Sequence, residues 1–167
     1  MSSRVVTNFM RQQGFAEEPA DARRAHFEGL TFQPRIVFPT VLVAIFLQSP
    51  WLHLAIAAVL GWNTLVPALN PFELAYNRWI ARPRGREPLV PAPGPRRMAQ
   101  GMAAAFNLAA GLGLLFGRTE LAWVMEAFLV VGFSALLFAR FCLGAYVFHL
   151  LKGRTAFANS TLPWSKD

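Results

Sequence analysis

Residues 36–47, 51–69, 98–117 and 121–151 form apolar blocks that contain Glu126 and Arg140 as their only charged side chains. Nearly every other charge lies between these blocks or outside them. A helix of about twenty apolar residues rises about 30 Å, the thickness of the bilayer hydrocarbon core. Blocks of this length and spacing predict an all-α polytopic membrane protein, with four transmembrane helices arranged as two hairpins. Composition agrees, because 54% of residues are hydrophobic and 15% charged, where a soluble domain carries about a quarter charged residues.

The blocks divide the chain into 1–30, a polar tail with an amphipathic helix expected around 21–32; 31–69, the first hairpin; 70–97, a basic loop; 98–151, the second hairpin; and 152–167, a C-terminal tail. The first block is short. Residues 36–47 rise only about 18 Å, so their helix is expected to begin near Phe27–Phe32 or to bend at Pro39. Gln48-Ser49-Pro50 supplies the turn between the first two helices, since proline disfavours helix in the residue before it. The fourth block begins at Leu121 and places Arg140 near headgroup depth, after which residues 141–151 are expected to continue into the cytoplasm, run along the interface or extend a tilted helix.

In "NPFELAYNRWIAR" (70–82), Asn70 can cap a helix, Pro71 suits its first position and Glu73 its third. Phe72, Tyr76, Trp79 and Ile80 recur at helical spacing opposite Glu73, Asn77, Arg78 and Arg82. This predicts a short interfacial helix with its aromatics in lipid. The Pro-rich stretch 83–97 is expected to be an extended linker.

Charge sets the orientation. The tail before the first block holds five arginines, the 70–97 loop six, and the C-terminal end Lys152, Arg154 and Lys166, whereas the two hairpin loops hold Arg118 alone. By the positive-inside rule both termini are cytoplasmic, in a bacterial inner membrane. The net charge of +7 therefore points to anionic lipid, with no nucleic-acid partner. Arg78, Trp79, Arg82, Arg96, Arg97 and Arg140 are the expected lipid- or partner-facing residues. No cleavable signal peptide is expected, because the first thirty-odd residues are polar.

Within the third block, Gly101, Ala105, Ala109 and Gly113 form an i, i+4 row of small residues suited to close helix packing. Gln100 and Asn107, seven apart, are expected to hydrogen-bond to neighbouring helices. Cys142 is the only cysteine, which excludes an intrachain disulfide. His53 falls at the outer side, and His26 and His149 at the inner side, so a bis-histidine haem pair across the bilayer is excluded. His149 remains a weak candidate for a single-ligand tetrapyrrole, and no cofactor or metal is expected. No catalytic constellation is visible, so the chain reads as a non-enzyme.

The stretches "RRMAQGMAAAFNLAAGLGLLFGRTELAW" and "FCLGAYVFHLLKG" resemble the bacterial four-span membrane family numbered 4395 among domains of unknown function. The resemblance covers about residues 24–152, through Arg97-Met98-Ala99-Gln100, the Asn-Pro turn after the second span, and Phe-Cys-Leu-Gly in the fourth. Members typically carry a second cysteine after that stretch, which implies thiol redox chemistry. Here Ala145 stands at that position, so the dithiol does not carry over.

The leading functional expectation is a non-catalytic accessory or assembly subunit of a larger membrane complex, respiratory or photosynthetic. Two alternatives stay open. One is a thiol- or cofactor-dependent redox protein using Cys142 or His149. The other is a small transporter with a polar path along Asn63, Thr64, Gln100 and Asn107.

Overall fold

A computed structural model describes residues 3–15 and 20–165. Among them the chain is all helix and turn: α1 Ser3–Gln12, α2 Ala20–Phe46, α3 Pro50–Leu65, α4 Pro71–Tyr76, α5 Gly94–Leu115, α6 Thr119–Leu137, α7 Leu143–Leu151 and α8 Thr155–Ser160. Three helices are long and apolar enough to cross a membrane, over His26–Phe46, Gly94–Leu115 and Thr119–Leu137. The protein is a membrane protein on that ground. α3 has 16 residues, about 24 Å of helix, which by length falls short of those three.

α2 begins well before the first apolar block and runs through Pro34 and Pro39. The α2–α3 turn falls at Gln48-Ser49-Pro50, where Ser49 Oγ accepts from the Leu52 amide and Pro50 opens the helix. α5 is the central element. It packs on α3 most extensively, then on α6 and α7. Val37, Val41, Ala44, Ile56, Leu60 and Leu129 are among the side chains that fill the core between the long helices.

A second core lies at the basic end of the bundle. Val6, Phe9, Met10 and Phe15 from the N-terminal segment pack with Phe27, Leu30, Tyr76, Ala81, Leu89, Cys142 and Ala145. The expected tail is therefore a folded part of this head. Its hydrophobic face supplies the burial that offsets the entropy of ordering it. Asn8 and Gln12 also tie α1 to the C-terminal end, through the Leu162 carbonyl and Thr161. Glu17, Glu18 and Lys166 of the two tails lie outside the described residues.

The 70–97 loop is held as well. Asn77 binds both backbone groups of Leu89, accepting from its amide at 2.7 Å and donating to its carbonyl at 3.1 Å. Helix starts again at Gly94, three residues before the expected end of the linker. α4 buries Glu73 and Tyr76 and leaves Leu74 exposed, as is Trp79 in the turn that follows, so the expected aromatic-down face is rotated. The reason is an ion pair that draws Glu73 inward.

The fourth apolar block is not one helix. α6 stops at Leu137, Arg140 takes a left-handed backbone (φ +54°), and Phe141 N–H donates to the Ala135 carbonyl. The chain then turns back as α7 across α5. At this crossing, a methyl group on Gly144 would meet the Ala99 Cα at 2.5 Å. Only glycine permits so close an approach of the two backbones.

The small-residue row is corrected too. Ala105 is exposed, Gly101 faces Thr64 of α3, and Gly113 faces Arg118 and Ala122 at the start of α6. An i, i+4 row turns about 40° per step at 3.6 residues per turn, so its ends reach different neighbours. Ala104, Ala110 and Gly111 complete the buried small positions.

Candidate functional site

Pro34 has no N–H, so the Leu30 carbonyl one turn earlier in α2 has no helical partner. Arg96, in the first turn of α5, fills that position. Its Nη1 donates to Leu30 O at 3.1 Å and to Gln13 Oε1 at 2.9 Å, and its Nε lies 3.3 Å from Glu73 Oε1. Arg96 is buried and ion-paired, not facing lipid or partner as the sequence suggested. Its charge was read as surface because it sits beside Arg97, which is exposed and donates to Thr64 O. Burial raises the Glu73 carboxyl above its ordinary range, against the opposing pull of Arg96 and Asn70.

Gln33, just before Pro34, extends the network. Its Oε1 accepts from Asn70 Nδ2 at 3.1 Å and from Gln100 Nε2 at 3.0 Å, while Asn70 Oδ1 accepts from the Phe72 amide to cap α4. Gln100 Oε1 is buried and has no hydrogen-bond partner. A cavity of about 60 Å³ lies here, with Gln13, Gln33, Arg96, Gln100 and Cys142 as its hetero-atom lining. An apolar cavity of about 70 Å³ shares Cys142, Phe133 and Leu136 and runs past Met102, Phe106 and Phe128 of α5 and α6. Either has room for a few water-sized groups.

Cys142 caps α7 and donates its backbone N–H to Gln12 Oε1 at 2.8 Å. Burial pushes its thiol up, and Arg96 and the Ala145 and Gly144 amides counter this only in part. A buried thiol in that state is a poor nucleophile. His149 is also buried. Its Nε2 donates to the Gln12 carbonyl at 2.9 Å, since a carbonyl can only accept, and Nδ1 is left without a partner. Arg140 is half-buried, with its guanidinium 5.5 Å from the Phe27 ring centroid. Arg78, Trp79 and Arg82 are exposed on a π-helical turn, Asn77–Ala81, and the first residue after it.

A second polar cluster occupies the opposite end of the bundle. His53 of α3 lies 3.0 Å from Asn107 Oδ1 through Nδ1 and 3.3 Å from Glu126 Oε1 of α6 through Nε2. Gln48 Nε2 lies 3.3 Å from both Glu126 oxygens, and Trp123 Nε1 donates to Gln48 Oε1. Asn107 and Gln100 thus meet different neighbours at opposite ends. Asn63 is buried without a partner, and Thr64 is bonded to the Leu60 and Arg97 carbonyls. Of these four polar residues, Gln100 alone lines the 60 Å³ cavity.

Sequence reading missed Gln12, Gln13 and Gln33, which look like ordinary tail or helix residues, and the pairings of Glu73 and Glu126. One signal was available: Pro34 within a helix announces a free carbonyl at Leu30 that something must satisfy. Among the described residues no group of three or more His, Cys, Asp or Glu converges to hold a metal. Neither a curated protein nor a solved structure matches the chain. Residues 28–153, most of the chain, match the family model described as "Domain of unknown function (DUF4395)", and the protein belongs to that family.

Proposed function

We propose that this is a non-catalytic accessory or assembly subunit of a larger membrane complex in the bacterial inner membrane, crossing it four times with both termini cytoplasmic. The observation that carries the reading is the exposed turn at 77–84. There Arg78, Trp79 (71% exposed), Arg82 and Arg84 project from π-helical and 3₁₀ turns. The turn is backed by buried Tyr76 and Ala81 and by the Arg86–Glu28 ion pair at 2.7 Å. Tryptophan and arginine are the residues that most often dominate protein interfaces, and π-turns gather at functional sites. Anionic lipid would meet the same arginines. The four-span topology draws support from α3, whose apolar length is extended by the 3₁₀ turn Pro67–Leu69 and which packs on α5.

The test is gentle native extraction, affinity pull-down and an absorption spectrum of the eluate. A stoichiometric large complex is expected, and Trp79→Ala with Arg82→Glu should release the partner while the protein stays in the membrane. A free monomer or homodimer would overturn the reading.

A second reading is favoured by one observation, the placement of Cys142 in the walls of both cavities. A thiol- or cofactor-dependent redox protein would lose function in Cys142→Ala with assembly intact. A silent Cys142→Ala and a colourless eluate would remove it.

A further inference from the structure

α2 contains two prolines, and the carbonyls they free are treated differently. Pro34 frees the Leu30 carbonyl, which Arg96 fills from α5. Pro39 likewise has no N–H, so the carbonyl of Arg35 loses its helical donor. Among the described residues no side chain donates to it, and the neighbouring Thr40 hydroxyl is engaged with the Ile36 carbonyl at 2.9 Å. Arg35 and Pro39 are both exposed, so this second gap opens on the outside of the bundle.

The Arg35 side chain is in the same position. Glu28 and Arg35 are the charged residues of the apolar span His26–Phe46, and Glu28 is paired with Arg86 at 2.7 Å. The Arg35 guanidinium has no hydrogen bond or ion pair among the described residues. It stands about midway along the span. Phe27, which holds the Arg140 guanidinium, precedes it by about 12 Å of helix, and Phe46 at the far end of α2 follows by about 16 Å. In hydrocarbon a bare cation and a bare carbonyl are both costly, and a charged side chain at such depth usually pairs with an opposite charge. One position of α2 thus lacks both an anion and a hydrogen-bond donor.

The face around it has the shape of a helix seam. Arg35, Pro39, Leu42 and Phe46 recur at i, i+4, i+7 and i+11, all exposed, and Ile36 and Val43 flank them. Phe32, one turn earlier, packs on Tyr76 with ring centroids 5.6 Å apart, and α4 leads from Tyr76 into the exposed turn at 77–84. The seam therefore carries the surface of that turn into the membrane.

We infer that this face of α2 is the intramembrane docking site for a transmembrane helix of the partner subunit, and that this helix carries a carboxylate opposite Arg35. The inference rests on the reading of the protein as a subunit of a larger complex. Arg35 supplies the cation and the partner the anion, while a hydroxyl or amide beside that carboxylate supplies the donor for the Arg35 carbonyl. Docking relieves both groups at once. The turn at 77–84 holds the same partner at the membrane surface.

The experiment compares wild type with Arg35→Leu in the full chain, extracted natively and pulled down. Wild type should bring down the complex, and Arg35→Leu should lower its recovery about tenfold or more, because the partner's carboxylate is left without its cation. A photo-reactive amino acid at Leu42 should crosslink to an apolar segment of the partner that contains Asp or Glu. Replacing that acidic residue by leucine should restore recovery with Arg35→Leu and abolish it with wild type. A crosslinked segment without a carboxylate, or a complex that survives Arg35→Leu undiminished, would overturn this inference and leave the subunit reading standing. A wild type that brings down no complex would overturn both. A phosphate of anionic lipid is the competing counter-charge, and the purified chain in nanodiscs decides it. Arg35→Leu should melt above wild type, in phosphatidylcholine and equally with phosphatidylglycerol added, which also shows that the variant folds. A variant no more stable than wild type, or a stabilisation by phosphatidylglycerol that Arg35→Leu loses, would mean that the charge is already matched and would overturn the inference.

Discussion

The two ends of the bundle each bury one carboxylate beside one nitrogen base, yet the pairs are built differently. At the head, Glu73 meets Arg96, whose guanidinium keeps its charge under all ordinary conditions. At the far end, Glu126 lies 3.3 Å from His53 Nε2, an approach that makes no hydrogen bond. The head pair is embedded in a network that includes Gln13, a free helix carbonyl and, one step away, Gln33. The far pair has one orienting amide on each side. A permanent cation in a buried site demands a full set of acceptors around it.

The largest expected effect tests that asymmetry. Glu73→Gln leaves Arg96 buried without a counter-charge and unable to neutralise itself, so a loss of about 3–5 kcal/mol is expected. Arg96→Met should cost less, because the remaining carboxyl can take up a proton. The sign follows from burial, which already raises Glu73 in the folded state. An acid raised on folding favours the fold below its unfolded range, and that contribution is lost as pH rises through the folded value. Arg96→Met should therefore be most stable in acid and weaken as pH climbs, and the double variant should fall between the single ones. Thermal melts in detergent at several pH values check the order. Equal losses for the two single variants would break the contrast.

The next effect is steric. Gly144→Ala places a methyl group 2.5 Å from the Ala99 Cα, where no flexible side chain can yield. A cost of about 1–3 kcal/mol is expected from forcing α7 away from α5. Because Cys142 caps α7 and is buried beside Arg96, the shift should also open the thiol. Maleimide labelling of Cys142 should be slow in wild type, rise with pH only beyond the usual thiol range, and quicken in Gly144→Ala. Fast labelling of wild type at neutral pH would contradict the burial that raises the thiol.

Much of the bundle was legible in the sequence because apolar periodicity and charge placement act over whole segments. The Gln48-Ser49-Pro50 turn and the Asn70 cap follow from local chemistry in a few adjacent residues, whereas the early start of α2 followed from the short rise of its apolar block and lies at Ala20, earlier than the expected Phe27–Phe32. The head was not legible. Val6, Phe9 and Met10 carry an apolar face too short to signal its partner, and the Arg140 break replaces a helix that composition alone would continue. Arg96 and Arg97 are identical neighbours in sequence with opposite fates, decided by 100° of helix rotation toward Pro34's freed carbonyl or away from it. The family resemblance located Cys142 and the missing second cysteine, but Gln12 and Gln13, which hold Cys142 and Arg96, lie outside the matched residues.

The smallest effect separates structural packing from binding at the head. Gln100 donates one bond to Gln33 and leaves its own Oε1 without a partner. Gln33 keeps its bond from Asn70 when that donor is removed. Gln100→Met has nearly the same shape, loses one hydrogen bond of about 1 kcal/mol, and also removes a buried acceptor whose isolation costs about as much. The two contributions should nearly cancel, giving a melting shift of a degree or two at most. A loss of about 2 kcal/mol would mean that Oε1 is satisfied in the membrane by a group within the 60 Å³ cavity. The head would then be a binding site as well as a brace, and the contrast between its dense network and the sparser cluster at the far end would have to be redrawn.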